Sequence, residues 1–279
     1  EISCSLVGSE MCIRDRHKSE GVILLDWNSA QYLKFVKERT QPSLDLISRI
    51  KIENPAKIID IGCGPGNSTN ALYEKFPNAE IVGLDNSNDM LEKARNKYPF
   101  IRFMEFDAAC ENWNIGKDYD IVFSNACIQW VPDHYTLLPK MMSVLKKGGI
   151  MAVQMPIQRD EPIRKIIAQV ISTDKWKHKL EFKRTLNMLS DEKYFDILSE
   201  LSDDFNIWTT TYFHRMKSCN DIIEWYKSTG LKPYLDCLDE NDKVLFLKDV
   251  HNEVSKCYKN QANGEIILKF PRLFFTAIK

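Results

Sequence analysis

The stretch KIIDIGCGPGNST, residues Lys57 to Thr69, decides the fold of this chain. It begins with a short apolar run that is typical of a buried strand, and it ends with polar residues that favour a helix start. Gly62, Gly64 and Gly66 lie between the two, where a backbone without side chains lets a ligand approach closely. The stretch therefore predicts a strand, a ligand-binding loop and a helix in that order.

Short apolar runs alternate with helical segments from this stretch up to Met155. The runs predicted as buried strands are KIIDI, EIVGLD, IRFMEF, DIVFSN and GIMAVQM. The segments predicted as helices are NSTNALYEKF, SNDMLEKARNKY and DHYTLLPKMMSVLKK. Asn67 and Ser87 are predicted as N-caps, and Gly148 as a C-terminal stop. This alternation predicts an α/β fold with a doubly wound sheet.

The second half of the chain predicts a helical insertion before a final strand. Helices are predicted near Pro162 to Ser172 and near Ser190 to Leu201, and the Thr-rich, aromatic run FNIWTTTYFHRM is predicted as a strand. Residues 218–258 are predicted as helices before ILKFPRLFFTAI returns to strand. We therefore expect a helical cap at about residues 215–262, inserted before the last strand of a domain that spans residues 17–279.

The first sixteen residues, EISCSLVGSEMCIRDR, show neither apolar periodicity nor a helix cap. Within them LVGSEMCIRD resembles a translated sequencing-library adapter, so we exclude residues 1–16 from the fold as non-native, with a disordered natural tail as the alternative. A signal peptide is disfavoured because the segment lacks an uninterrupted apolar core. Its three acidic and two arginine side chains account for the formal net charge of −1, so the remaining domain is neutral.

The composition favours a small-molecule partner. A chain of 279 residues with 44% hydrophobic content can bury a full core. No apolar run approaches the roughly 20 residues of a membrane-spanning helix, and no Lys/Arg block supplies the charge that nucleic-acid binding needs. The cysteines beyond the tail form no C-x-x-C pair and have no His at metal-ligand spacing, which favours free thiols in a reducing cytoplasm and no metal site.

Acidic residues stand at the predicted strand ends. Asp60 lies two residues before the first loop glycine, where it favours a cationic ligand over a diphosphate. A dinucleotide G-x-G-x-x-G fingerprint would require glycine where Asn67 stands. Asp85 follows the loop at the interval of an acid that binds ribose hydroxyls, and Asp107 ends the third strand. Two alternatives to a cationic ligand remain: the loop binds a nicotinamide cofactor, or it is purely structural.

This loop resembles motif I of class I S-adenosylmethionine methyltransferases, whose fold is a Rossmann-like, doubly wound sheet of seven strands. The resemblance implies that Asp60 faces the ammonium group of the methionine moiety, that Asp107 and Ala108 contact the adenine, and that Asn125 ends the fourth strand over the methyl-donor sulfur. Cys63 has no role in the resemblance and no neighbouring base in the sequence, so we interpret it as a small loop residue. The implied donor-binding residues are Asp60, Gly62, Gly64, Gly66, Asn67, Asp85, Asn86, Asp107, Ala108, Asn125, Gln129 and Trp130.

A more specific resemblance covers nearly the whole chain beyond the tail. The stretches LDWNSAQYLKFVKERTQPSLDL, NACIQWVPDHY, AVQMP, STGLKPYL and ILKFPRLF are similar to the trans-aconitate 2-methyltransferase family. That family methylates one carboxylate of trans-aconitate, a tricarboxylic acid, with S-adenosylmethionine as donor. One residue departs from the expected pattern: Lys232 stands where we expect arginine, so its grip on a carboxylate would be less bidentate.

Methylation of a carboxylate implies positioning rather than acid or base catalysis, so no catalytic residue is predicted. Arg39 as a surface charge, His134 as a helix-terminal residue and Trp130 as core packing are the alternatives, as is an ion pair between Arg272 and an acid of the cap. Two other functions stay open: methylation of another small acid or a malonyl thioester, and S-adenosylmethionine sensing without turnover. The implied substrate-binding residues are Tyr32, Arg39, His134, Tyr212, His214, Lys232 and Arg272.

Overall fold

The computed structural model describes residues 36–157, 161–180, 187–227 and 229–279, with only the helical backbone for residues 36–39. The tail at residues 1–16 and Tyr32 lie outside these ranges, and so does the side chain of Arg39. The strands are β1 (Lys57–Ile61), β2 (Glu80–Asp85), β3 (Arg102–Glu105), β4 (Tyr119–Asn125), β5 (Leu145–Pro156), β6 (Phe205–Met216) and β7 (Ile266–Ile278). The helices are α1 (Val36–Ser48), α2 (Asn67–Lys75), α3 (Asn88–Lys97), α4 (His134–Ser143), α5 (Pro162–Ile171), α6 (Asp191–Leu201), α7 (Cys219–Lys227), α8 (Lys232–Leu235) and α9 (Glu240–Cys257), with a 3₁₀ turn at Ile128–Trp130.

The strands form one seven-stranded sheet in the order β3-β2-β1-β4-β5-β7-β6. Strands β1 to β5 pair in parallel, and β7 runs antiparallel to both β5 and β6. The strand order reverses between β1 and β4, and ligands of open α/β sheets bind at the carboxyl ends of the strands beside such a reversal. The predicted doubly wound α/β fold is confirmed.

Helices cover both faces of the sheet, which is why its central strands are apolar without alternation. On one face, Leu46 of α1 and Leu72 of α2 pack against Phe123 of β4 and Phe274 of β7. On the other face, residues of α4 and α6 pack against β4, β5 and β7. The face that carries α1 and α2 also carries the candidate site described below.

The helical cap lies between β6 and β7, as predicted, because α7, α8 and α9 all fall there. Its core joins Trp225 of α7 and Phe246 of α9 to Phe270 of β7. The same core includes Ile163 and Ile167 of α5, which precedes β6 in the chain. The limits of the cap at about 215–262 stay a prediction. They do not include α5, although α5 packs against the cap. None of the helices in the described ranges is long and apolar enough to cross a membrane.

Of the three predicted helix ends, the structure confirms one. Ser87 is the N-cap of α3 and accepts from the Met90 amide, which confirms that prediction. Asn67 is the first helical residue of α2 rather than its cap, because Gly66 takes the cap position with φ 84°. Gly148 is not a helix stop either: α4 ends at Ser143, and Gly148, at φ 77°, lies within β5.

Candidate active site

The three loop glycines meet different surroundings. A Cβ on Gly62 would lie 2.1 Å from Sγ of Cys127, and one on Gly66 would lie 2.9 Å from the ring of Tyr98. A Cβ on Gly64 would have no atom within 4 Å. The sequence predicts all three as sites of ligand approach, but two of them are bare because protein side chains fill the space. Gly64 alone among the three faces open space.

Asp85 fixes this loop to the end of β2. Its carboxylate accepts hydrogen bonds from the Gly64 amide at 2.8 Å and from the Ser87 amide at 2.9 Å. Burial raises the pKa of Asp85, and these backbone hydrogen bonds oppose the rise. The acid therefore holds the open glycine in place at the carboxyl end of β2.

Asp60 is fully buried beneath the loop. One oxygen, Oδ2, accepts from the hydroxyls of Ser68 and Thr69, both at 2.7 Å, whereas Oδ1 is buried with no hydrogen-bond partner among the described residues. Burial is the largest cause of a pKa raised to about 6. A buried acceptor with spare capacity suits a cationic group or a water that bridges to it. Nearby, burial raises the pKa of Cys63, which keeps this thiol neutral and fits a small loop residue rather than a nucleophile.

Three further residues that the sequence predicts to bind the methyl donor, Asn86, Asp107 and Ala108, follow the ends of β2 and β3, whereas Asn67 does not. Asp107 is exposed, and its Oδ1 accepts from the Ala109 amide at 2.9 Å, while Ala108 beside it is buried. Asn86 is exposed just past Asp85. Asn67 has turned toward α3, where its side-chain oxygen accepts from Lys97 at 2.9 Å.

Past the end of β4 the backbone is strained. Ala126 has φ 54°, a left-handed conformation that costs a residue with a Cβ roughly 1 kcal/mol. Its carbonyl accepts from the side-chain amide of Gln129 at 2.7 Å, and Trp130 follows in the 3₁₀ turn. The side-chain oxygens of Asn125 and Gln129 are buried without hydrogen-bond partners in the described part of the chain. This edge therefore offers unused polar atoms next to the open loop.

His134 requires a correction. The residue is completely buried, its Nε2 lies 2.7 Å from the Ile128 carbonyl oxygen and its Nδ1 lies 2.6 Å from the Tyr194 hydroxyl. Burial lowers the pKa of His134, so the neutral ring donates to the carbonyl and accepts from the tyrosine. With both nitrogens occupied inside the protein, His134 joins α4 to α6 and has no ring nitrogen left for a substrate in this structure.

Several predicted substrate residues share one face of the β6–β7 pair. Thr210 pairs with Arg272, Tyr212 with Phe270 and His214 with Leu268, and directly paired residues point to the same side of a sheet. We call the surface formed by Tyr212, His214, Phe270 and Arg272 the acceptor face, because three of these residues are predicted to bind the substrate that accepts the methyl group. Arg272 pairs with Pro156 on its other side, so it lies level with the carboxyl end of β5.

Arg272 is only 5% exposed, and its guanidinium carbon lies 4.2 Å from the centre of the Phe270 ring. Burial raises the pKa of Glu161, an acid just before α5, and the charges of Arg164 and Arg272 oppose the rise. Glu161 precedes the predicted cap, so the alternative of an ion pair between Arg272 and an acid of the cap stays open. A planar guanidinium can contact one carboxylate along one edge and still present donors along another.

The other residues predicted to bind the substrate contact side chains of the protein itself. The Tyr212 hydroxyl donates to Asp45 of α1, and the His214 ring packs 4.7 Å from the ring of Trp225. The Lys232 ammonium lies 2.6 Å from the carboxylate of Asp236, one helical turn further on. Lys232 lies on α8 of the cap, and this ion pair competes with any substrate for its charge.

Two buried polar residues of this region were not predicted. In the sequence Glu161 looks like an ordinary acid before a helix, and nothing indicates that the charge of Arg272 acts on it in the folded chain. Gln154 of β5 is completely buried, and neither side-chain Nε2 nor Oε1 has a hydrogen-bond partner within the described ranges. A polar residue inside the apolar run GIMAVQM is the signal that could have identified it.

Comparison with known proteins agrees with this geometry. A family model described as a methyltransferase domain matches residues 58–149. The trans-aconitate 2-methyltransferase of Rhodopseudomonas palustris (strain BisB5) is 41% identical over 258 residues, which cover 92% of this chain and 100% of that protein. The crystal structure of the YcgJ protein from Bacillus subtilis is 15% identical and covers 86% of this chain and 98% of its own, with a TM-score of 0.57. Phosphoethanolamine N-methyltransferase 2 of Haemonchus contortus, solved with S-adenosyl-L-methionine, is 19% identical and covers 86% of this chain and 52% of its own, with a TM-score of 0.53.

The two structural likenesses show the fold alone, since their sequence identities are low. Together with the matching family model and the loop geometry, this fold defines the chain as an S-adenosylmethionine-dependent methyltransferase of class I. The full-length sequence identity is more specific. The chain belongs to the family of trans-aconitate 2-methyltransferases.

Proposed function

We propose that this chain transfers a methyl group from S-adenosylmethionine to one carboxylate of trans-aconitate and so forms a monomethyl ester. The observation that carries the proposal is the 41% identity to a trans-aconitate 2-methyltransferase over that protein's entire length. The buried Arg272 on the acceptor face supports an anionic substrate, because a guanidinium in that position suits a carboxylate. A small acid in the cytoplasm is the partner that the neutral composition favours.

The chain's own residues are proposed to position the reactants. When bound, S-adenosylmethionine supplies a methyl group on a sulfonium, which is a good leaving group. The acceptor carboxylate is already an anionic nucleophile at neutral pH, so no residue needs to remove a proton. What the protein contributes is alignment of a carboxylate oxygen with the methyl carbon and exclusion of water.

On the donor side, we assign roles to the residues of the strand ends. Asp85 accepts from the ribose hydroxyls, Asp60 faces the ammonium group, and Asp107 with the Ala108 amide contacts the adenine. The unused oxygens of Asn125 and Gln129 face the methionine moiety. The open space at Gly64 supports this placement, because a ligand can reach the backbone there.

On the acceptor side, Arg272 holds a carboxylate that does not react. Its position level with the end of β5 supports this role, since Gln154, two residues earlier on β5, pairs with Asn125 at the donor edge. Arg272 therefore lies roughly 7 Å further along the strand direction than Gln154 and one strand further across the sheet. Tyr212 and His214 border the same face, whereas roles for Tyr32 and Arg39 stay predictions of the sequence.

Labelled methyl donor offered with a panel of acids tests the proposal. The panel contains trans-aconitate, cis-aconitate, citrate and a malonyl thioester, each as the single acceptor. We expect the label to move to trans-aconitate at the highest rate and to form an ester that alkali hydrolyses. Preferred transfer to another acid would replace the substrate assignment, and binding of the donor without transfer to any acid would indicate a sensor.

A further inference from the structure

Gln154 occupies a position that a packed core does not explain. It lies in β5, an interior strand of the sheet, and is completely buried. Its side-chain amide offers two donor hydrogens and one acceptor oxygen, and the described residues satisfy neither Nε2 nor Oε1. Burying such an amide without partners costs free energy, so a native protein usually keeps one for a reason.

The sheet register places Gln154 between the donor edge and the acceptor face. It pairs with Asn125 of β4 on one side and with Phe274 of β7 on the other. Paired residues share a face of the sheet, and residues two apart on a strand share it as well. Asn125, Gln154 and Arg272 therefore point to the same side, with Gln154 in the middle.

Asn125 and Gln154 are neighbours that do not bond to each other. The side-chain oxygen of Asn125 is a buried acceptor and Nε2 of Gln154 is a buried donor, yet both lack partners among the described residues. Adjacent strands lie about 4.8 Å apart, within reach for two amides that turn toward each other. Each side chain therefore keeps an unused hydrogen-bonding atom on the same face of the sheet.

We propose that Gln154 binds the acceptor acid directly, with Nε2 donating to a carboxylate oxygen at the point where the donor and the acid meet. This inference rests on the proposed function and adds a specificity-determining residue to it. An amide suits the place because it is neutral: it donates to a carboxylate without adding a charge beside the positive sulfonium. A lysine or arginine there would repel the donor.

The substitution Gln154→Leu separates this role from a structural one. Leucine has a similar volume and no polar atoms, so we expect the melting temperature to stay level or rise as the unsatisfied amide disappears. The affinity for trans-aconitate, measured by calorimetry with S-adenosylhomocysteine bound, should fall about 10- to 100-fold, and kcat/KM should fall with it. The affinity for S-adenosylhomocysteine itself should change by less than about threefold. Gln169→Leu, the same change on the exposed side of α5, is the matched control and should alter none of these quantities.

The outcomes that would overturn the inference differ from those that bear on the reaction. A folded Gln154→Leu variant with normal trans-aconitate affinity removes the proposed contact. A lower melting temperature with equal losses of both affinities assigns Gln154 to the fold, and a selective loss for S-adenosylhomocysteine assigns it to the donor site. The proposed function fails separately, if the unmodified protein transfers no methyl group to trans-aconitate. The stability and binding measurements need no turnover, so they decide the role of Gln154 in either case.

Discussion

At the scale of single residues, Gly62 and Gly64 share a left-handed backbone but differ in what a side chain would meet. In Gly62→Ala the new Cβ would lie 2.1 Å from Sγ of Cys127, so overpacking adds to the strain and the free energy of unfolding should fall by about 2–4 kcal/mol. In Gly64→Ala only the strain applies, and the loss should be about 1 kcal/mol with a clear drop in donor affinity. Urea unfolding and calorimetry measure the two effects. Equal losses of stability in both variants would contradict this difference.

Asp85 is expected to contribute to donor binding both directly and through the loop. Asp85→Ala removes the acceptor of the Gly64 amide as well as the proposed acceptor for the ribose, so donor affinity should weaken by roughly 1.5 to 3 kcal/mol. Calorimetry with S-adenosylhomocysteine measures the change. Asp89→Ala, which removes a partly exposed acid paired with Lys93 on α3, is the control and should leave the affinity unchanged. An unaltered dissociation constant in folded Asp85→Ala would refute the ribose assignment.

Asp60 predicts a pH dependence with a definite sign. Its pKa is raised from 3.8 to about 6, so between these values the folded chain binds a proton that the unfolded chain has lost. Stability from this group is therefore present at about pH 4 and is lost as the pH rises through about 6, by about 3 kcal/mol in total. Asp60→Asn removes the titration while keeping an oxygen that can accept from Ser68 and Thr69.

Urea unfolding of both proteins at about pH 4 and about pH 7 tests this sign, since the stability of the unmodified protein relative to Asp60→Asn should fall between the two. Donor affinity should follow the opposite direction and weaken below about pH 6, because an ammonium group requires the ionised carboxylate. A stability difference that is the same at both pH values would show that Asp60 does not titrate in this range.

At the scale of secondary-structure elements, the His134–Tyr194 contact joins α4 to α6 beneath the sheet. His134→Ala leaves a cavity and a buried tyrosine hydroxyl without its partner, so the free energy of unfolding should fall by about 2–4 kcal/mol. The KM for trans-aconitate should stay the same, because both ring nitrogens are occupied within the protein. Tyr194→Phe removes the same hydrogen bond and should also destabilise without a change in KM. A selective rise in KM would restore His134 as a substrate residue.

The sequence predicts the existence of the elements better than their ends. Strong apolar runs such as KIIDI and DIVFSN form the predicted strands almost residue for residue, since a strand buried on both faces leaves a signal that little else produces. The end of α4 is wrong by several residues, because Leu145 pairs with Tyr119 and draws LKKGG into β5. Strand pairing in the folded protein decides such boundaries, and the local sequence does not indicate it.

At the scale of the whole molecule, the donor edge follows from the sequence and much of the acceptor side does not. Asp60, Asp85, Asp107 and Asn125 each lie at or just past the end of a different parallel strand, and parallel strands bring their carboxyl ends together whatever the details of packing. The environment of Arg272 depends on Glu161, 111 positions earlier in the chain, and that of Tyr212 on Asp45. Contacts across such separations have no pattern in a single sequence. For the same reason His134, predicted as a substrate residue, is a core residue bonded to a tyrosine sixty positions away.

The kinetics of Arg272→Leu test most directly whether the acceptor face holds an acid beside the donor. Leucine removes the guanidinium that we assign to the unreactive carboxylate of the substrate. The value of kcat/KM toward trans-aconitate should therefore fall roughly 30- to 1000-fold, which corresponds to about 2 to 4 kcal/mol of lost transition-state stabilisation. Donor affinity should stay unchanged, because in this arrangement Arg272 contacts the acid and not the donor. Circular dichroism and melting temperature establish that the variant is folded, and Arg272→Lys, which keeps the charge without the planar fork, should lose less. A folded Arg272→Leu variant with normal kcat/KM toward trans-aconitate would contradict the assignment.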